Sequence, residues 1–210
     1  MMTFPQHPAL AESALAGTES LRPLLQDGRI APGHYVVSGP RDLPGRFLTT
    51  LCPALLSGTR VLWLDAGNSF NAYGLGYASR FFGANAHAAL ARVDLARPFN
   101  LYQLETMVKV KVPERWRGEP IVIADPMPLF YDDDVPVAAA RRVLTRVLEG
   151  MMSLPAVWLV LMVDREPPAG REGWEEQLSR CARGAMRFYG SNVADDRSES
   201  TGGRGGLEAV

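Results

Sequence analysis

The chain has 210 residues, of which 47% are hydrophobic and 21% are charged, and its formal net charge is −1. This bulk charge gives no argument for binding to nucleic acid or to an anionic membrane, although a local basic face would not show in it. The two cysteines, Cys52 and Cys181, have no metal-ligand spacing and exclude a disulfide framework. No leader pattern is visible at the start, and no apolar run approaches the about 20 residues of a membrane span. We therefore expect a soluble, cytoplasmic protein.

Short apolar runs alternate with helical patterns along the first part of the chain. Turn residues at Gly28, Pro32 and Gly33 precede the first apolar run. The patterns predict strands at 35–38, 60–65 and 92–95, and helices at 47–56, 71–82 and 101–110.

The same alternation continues in the second part of the chain. It predicts strands at 120–126, 156–163 and, as an edge strand, 185–189; helices at 137–154 and 174–182; and loops at 112–120 and 166–173. Continuous apolar strands separated by helices are typical of an α/β fold with a mostly parallel central sheet flanked by helices. We divide the chain into an N-terminal extension (1–19), one core domain (20–190) and a polar, glycine-rich tail (191–210) that we expect to be disordered.

The stretch SGPRDLPGRF, residues 38–47, is close to a phosphate-binding loop but departs from it. The motif G-x-x-x-x-G-K-[ST] surrounds phosphates with backbone N–H groups, adds a lysine and holds Mg²⁺ with a hydroxyl. Here Gly39 and Gly45 are one residue too far apart, and Pro44 removes an N–H group. Arg46 stands where the lysine belongs, and Phe47 replaces the hydroxyl.

Five segments, taken together and in order, resemble the core of the RecA-type recombinases, closest to the archaeal and eukaryotic recombinases and their paralogues. They are SLRPLLQDGRIAPGHYVVSGP, SGTRVLWLDAGNSF, DLARPFNLYQLETMV, PIVIADPMPLF and VWLVLMVDRE, spread over residues 20–166. The resemblance implies a RecA-like P-loop NTPase fold. It also implies that Asp125 is the Walker B acid, the ligand of Mg²⁺ if Mg–ATP binds. Gly39, Gly45, Arg46 and Asp125 would then form a vestigial nucleotide site.

Two more departures from that family argue against hydrolysis. Gly67 stands where the resembling enzymes have a glutamate that activates water. Asp164-Arg165 replaces the residues that sense the γ-phosphate, and an acid there would repel that group. We therefore expect no resident cofactor. ATP and Mg²⁺ would bind only if the altered loop still works as a nucleotide site.

Other candidate residues have competing structural and functional interpretations. Arg165 and Arg171 belong to a basic region that carries DNA-facing loops in the resembling family, so we predict DNA contacts there. We expect Asp65 to have a structural role, and the arginines of the 137–154 helix, Arg141, Arg142 and Arg146, to form a solvated face. We expect the aromatic residues Tyr73, Tyr77, Phe81 and Phe82 in the core rather than in a stacking platform.

Three functions remain open from the sequence. The leading hypothesis is a non-hydrolysing recombinase paralogue that assists DNA recombination or repair by binding a recombinase, a polymerase or another repair protein, with DNA as an open second partner. The alternatives are a divergent DNA-stimulated ATPase and a RecA-fold inhibitor of cell division or signalling. No membrane partner is expected.

Overall fold

The computed structural model describes residues 25–26 and 29–188. A short antiparallel hairpin, β1 (Leu25–Gln26) and β2 (Arg29–Ile30), leads into a sheet of six parallel strands. The strands of the sheet are β3 (Gly33–Gly39), β4 (Val61–Asp65), β5 (Val93–Ala96), β6 (Ile121–Ala124), β7 (Val157–Val163) and β8 (Gly184–Arg187), in the spatial order β5-β4-β6-β7-β3-β8.

Helices cover both faces of this sheet. In chain order they are α1 (Leu43–Thr50), α2 (Cys52–Leu56), α3 (Ala72–Phe81), α4 (Ala86–Leu90), α5 (Leu101–Thr106), a π-helical segment (Met107–Lys111), α6 (Val112–Arg115), α7 (Met127–Phe130), α8 (Val137–Ser153) and α9 (Trp174–Arg180). None of the helices in this described part of the chain is long and apolar enough to cross a membrane.

The central strands are buried on both faces because their side chains alternate between two separate cores. In β4, Trp63 packs with α1 to α4 on one face, whereas Leu62 and Leu64 pack with α5, the π-helical segment and α8 on the other. Such strands have no polar face, which is why they read as continuous apolar runs in the sequence.

The first helix after β3 begins four residues earlier than predicted. Pro44 lies in the first turn of α1, where its missing N–H removes no helical hydrogen bond. Leu51 keeps helical backbone angles between α1 and α2, and Pro53 in the first turn of α2 interrupts the hydrogen-bond ladder there. The chain therefore folds through residues 43–56 as two nearly continuous helices.

The predicted strands are confirmed, with bounds that differ by up to two residues. The predicted loop at 112–120 is wrong at its start, because the helical turns continue through the π-helical segment into α6. The short helices α4 and α7 were not predicted, since each has too few residues for a periodicity to show. The N-terminal extension (1–19) and the tail (191–210) lie outside the described residues.

The prediction that the aromatic residues of α3 belong to the core is wrong. Tyr73 is 93% exposed and Tyr77 is 56% exposed, while Phe81 and Phe82 are exposed to 44% and 46%. The core face of α3 consists instead of small residues and one leucine, Leu75, Gly76, Ala78 and Ser79. Large apolar side chains predict burial in most sequences, and this helix reverses that rule.

Candidate functional site

A cleft of about 990 Å³ opens at the carboxyl edge of the sheet. This is the edge at which ligands bind in open parallel sheets. Of the predicted site residues, the cleft brings together Gly45, Arg46, Asp125 and Arg165. Gly39 ends β3 beside it. Arg171 does not line the cleft.

The loop between β3 and α1 does not form a phosphate cradle. Three residues, Pro40 to Asp42, separate the strand from the helix. The N–H of Leu43 donates to the carbonyl of Pro40 (2.9 Å) and the N–H of Arg46 to that of Asp42 (3.0 Å), so both groups are used within the chain. No residue from 39 to 47, all of them described, has a positive φ. The alternation of backbone angles that turns successive N–H groups toward an anion is therefore absent from this loop.

The two glycines of the altered motif have different surroundings. A Cβ at Gly39 would lie 2.8 Å from the carbonyl oxygen of Phe188, so the close approach of the chain after β8 requires a glycine there. A Cβ at Gly45 would have no neighbour within 4 Å. Packing against the protein therefore requires a glycine at position 39 but not at position 45.

Arg46 is engaged within the protein. Its Nε donates to Asp42 Oδ2 at 2.5 Å, and its guanidinium lies 5.9 Å from the centre of the Phe188 ring. We did not predict either partner, although the four-residue spacing of Asp42 and Arg46 would have indicated an ion pair on a helix.

The position directly after Arg46 has no hydroxyl to offer to a metal ion. Phe47 is buried in the core beneath the sheet. Thr49 donates its hydroxyl to the carbonyl of Gly45 at 2.9 Å, and Thr50 donates to that of Arg46 at 3.0 Å. Both hydroxyls are therefore bonded one helical turn back along α1.

The centre of the cleft holds an ion pair between Asp125 and Arg165. Asp125 follows β6 and is 6% exposed, and its Oδ2 accepts a hydrogen bond of 2.5 Å from the Arg165 guanidinium. Its Oδ1 is buried without a hydrogen-bond partner among the described residues. Burial raises the pKa of Asp125 above its ordinary value, and the opposing effect of Arg165 is smaller.

Asp125 also has a strained backbone, with φ of 51°. A left-handed conformation costs a non-glycine residue on the order of 1 kcal/mol or more. The N–H of Asp125 donates to the carbonyl of Leu161 at 2.7 Å, which holds the turn against β7. Strain, burial and a raised pKa coincide at this one residue, a combination typical of functional positions.

Gly67 is the residue that makes room for this arrangement. A Cβ at position 67 would lie 2.6 Å from the Cβ of Asp125 and 2.7 Å from its Oδ2. The side chain of Asp125 thus fills the space that any side chain at position 67 would need. While Arg165 holds Asp125 in this position, there is no space for the glutamate that the resembling enzymes have at position 67.

We expect the substitution Gly67→Ala to lower the free energy of unfolding by about 1–3 kcal/mol, because a methyl group is forced against buried Asp125. Gly45→Ala is the matched control. It adds the same methyl group inside α1 with no neighbour in reach, and it should stabilise the protein by about 0.5–1 kcal/mol. Urea denaturation of both variants measures the difference. Equal effects of the two substitutions would contradict the crowding at Gly67.

Asp65 has the structural role that we expected. It is fully buried at the end of β4 and accepts hydrogen bonds from the backbone N–H groups of Ser69 and Phe70. Arg97 donates twice to its Oδ2, at 3.0 and 2.7 Å. Asp65 therefore fixes the loop that carries Gly67 along the cleft. Arg97, which follows β5, is a partner that the sequence did not predict.

The charges that line the cleft are balanced. Three arginines (Arg41, Arg46 and Arg165) face three aspartates (Asp42, Asp125 and Asp164). Asp164 is further paired with Arg187 at 2.7 Å. The lining by itself would therefore present no net positive charge to a triphosphate. As they stand, these residues do not fit a Mg²⁺–nucleotide, because the described loop forms no phosphate cradle, Phe47 stands at the position of the metal-binding hydroxyl, and Asp125 already has a cation.

Arg171 is buried, away from the cleft and from solvent. Its guanidinium donates to the carbonyls of Phe130, Asp132 and Val135 and lies 5.6 Å from the centre of the Trp174 ring. Burial of this kind argues against a contact with DNA and assigns Arg171 to the fold. Arg165 lies in the cleft, and its contact with DNA stays a prediction. On α8, Arg141, Arg142 and Arg146 are exposed, as expected for a solvated face.

A six-stranded parallel sheet, helices on both faces and a cleft at the carboxyl edge define an open α/β protein. Among solved structures, the chain is similar to the RadB recombinase, with a TM-score of 0.58 and 20% sequence identity over 81% of this chain and 80% of that chain. No protein-family model and no curated protein sequence matches the chain. The protein therefore has the RecA-like fold that the sequence predicted.

Proposed function

We propose that this protein is a non-hydrolysing RecA-fold accessory factor in DNA recombination or repair, which acts by binding other proteins and DNA. The observation that carries the proposal is the ion pair of Arg165 with Asp125. The guanidinium is bonded to the one acid that the family resemblance assigns to Mg²⁺. The guanidinium occupies the Oδ2 that a metal ion would use, and no nucleophile-activating acid stands at Gly67.

The proposed role in DNA recombination or repair is based on the fold. The similar solved structure is that of a recombinase, and five segments in register carry the same resemblance in the sequence. Partners of the expected class are a recombinase, a polymerase or another repair protein. Because the fold supports many functions, the assignment depends on experiments at the cleft and on partner identification.

Titration of Mg²⁺–ATP into the full chain by calorimetry tests the cleft. We expect no binding heat up to millimolar ATP and no phosphate release with single-stranded DNA present, because the cleft lacks a cradle and net positive charge. Asp125→Ala serves as the control. Micromolar binding that is lost in this variant would overturn the proposal and favour the divergent ATPase.

Affinity capture with the full chain tests the proposed role in recombination or repair. The expected result is enrichment of recombination or repair proteins over a capture with an unrelated chain of similar charge. Enrichment of cell-division proteins instead would contradict the proposal and favour the inhibitor of division.

A further inference from the structure

The exposed side of α3 carries a continuous aromatic stripe, which we call the α3 aromatic face: Tyr73, Tyr77, Arg80, Phe81 and Phe82. The first four lie on one side of the helix by their spacing, opposite the buried Leu75 and Ala78. Tyr73 and Tyr77 are separated by four residues, which is about 6 Å along the helix axis. The two exposed phenol rings therefore lie about one helical turn apart on the same side of α3.

The segment of chain that contains this face carries ionisable side chains of one sign. Between Asp65 and Asp94 the sequence contains no acidic residue, whereas it contains Arg80, His87 and Arg92. Arg80 is exposed and forms no ion pair with any other described residue. Its guanidinium is thus available to an anion beside the tyrosine rings.

The shape of the face favours flat stacking over insertion of an anchor side chain. Neither of the cavities described for this protein includes any of its four aromatic residues among the lining. Protein interfaces usually place their strongest contacts in well-packed pockets. A ring that is 93% exposed, as in Tyr73, instead presents an open π-face.

We propose that the α3 aromatic face binds single-stranded DNA, with bases stacked on Tyr73 and Tyr77 and a phosphate held by Arg80. Exposed aromatic rings interleaved with arginine are the elements with which proteins bind single strands without sequence preference. The inference rests on the proposed function for the nature of the partner. It places a DNA contact on α3, in addition to the one predicted at Arg165.

Fluorescence anisotropy of a labelled oligothymidylate of about 16 nucleotides, titrated with the full chain, tests this site. We expect the double variant Tyr73→Ala/Tyr77→Ala to bind at least about tenfold more weakly, since the stacking of a base on each tyrosine ring is lost. Tyr102→Ala is the matched control, because Tyr102 is 51% exposed on α5, which covers the opposite face of the sheet. That variant should bind like the wild type.

The salt dependence of binding tests the role of Arg80. The variant Arg80→Gln should reduce the slope of log affinity against log salt by about 0.7, the value for one phosphate contact of a single strand. Arg142→Gln, on the other side of the sheet, should leave the slope unchanged. A duplex of the same length should bind more weakly than the single strand, because its bases are already stacked.

Either of two outcomes would overturn the inference. One is that the wild type fails to bind the oligonucleotide, and the other is that the double variant binds it as tightly as the wild type. A double variant that changes the oligomeric mass or the melting temperature and leaves DNA binding intact would mean that a protein surface covers this face. The proposed function fails separately, through Mg²⁺–ATP binding at the cleft, which these variants do not touch.

Discussion

Replacing Arg165 with glutamine is expected to destabilise the protein by about 2–3 kcal/mol at neutral pH, because the buried carboxylate of Asp125 loses the one cation that pairs with it among the described residues. We place the effect below the usual range for a buried pair because the Arg165 side chain is 27% exposed.

The loss caused by Arg165→Gln should depend on pH in a defined direction. In the wild type, burial raises the pKa of Asp125 above 3.8, so the folded state holds the proton more tightly than the unfolded state. Stability therefore falls as pH rises from that value through the raised pKa. Because Arg165 lowers the pKa of Asp125, its removal raises that pKa further and steepens the fall. Urea unfolding from acidic to neutral pH should show the variant approaching the wild type at the acidic end.

The double variant Arg165→Gln/Asp125→Asn separates the pair from the packing of each side chain. It removes both charges, so its stability should recover toward that of the wild type and lose the steep pH dependence. A loss in Arg165→Gln that is equal at every pH would contradict the ion pair as the cause.

Replacing Arg171 with alanine should lower the free energy of unfolding by about 3 kcal/mol or more. The guanidinium bonds three backbone carbonyls between α7 and α8, and its loss leaves these acceptors buried without donors. Its stacking on Trp174 is lost as well. Lysine should not rescue the variant, since an ammonium lacks the planar fork that reaches separate carbonyls.

The control for Arg171→Ala is Arg142→Ala on the exposed face of α8, which should leave the urea midpoint unchanged within error. A similarly small effect of Arg171→Ala would mean that water replaces the guanidinium at the three carbonyls. That result would reopen the interpretation of Arg171 as a surface residue.

The fold was predictable because its central strands are apolar on both faces and alternate with amphipathic helices. A run such as residues 157–163 leaves few alternatives to a buried parallel strand. The two short helices and the early start of α1 were not predictable in this way. The early start of α1 depends on Pro44 being tolerated in the first turn of a helix. The resemblance of this stretch to a phosphate loop led us to predict a loop there instead.

The composition of the site was predictable, but its connections were not. The departures from the lysine, hydroxyl and glutamate of the resembling family are visible in the sequence, whereas the pairing of Arg165 with Asp125 joins residues 40 positions apart. Burial was misjudged in opposite directions at two places. Arg171 is inside because carbonyls can solvate its guanidinium, and Tyr73 is outside because small residues suffice to pack α3 against the sheet.

If the chain is non-hydrolysing, as proposed, the crowding of Gly67 against Asp125 constrains the order in which hydrolytic activity could be introduced into it. A glutamate at position 67 has no space while Arg165 holds Asp125 in place, so that change alone disrupts the cleft before it adds a base. Restoring the loop lysine alone leaves the acid occupied. Activity would require Arg165 to be replaced first, at a cost in stability, and only then position 67 and the loop. Single substitutions at position 67, Arg46 or Arg165 should therefore produce no gain of turnover.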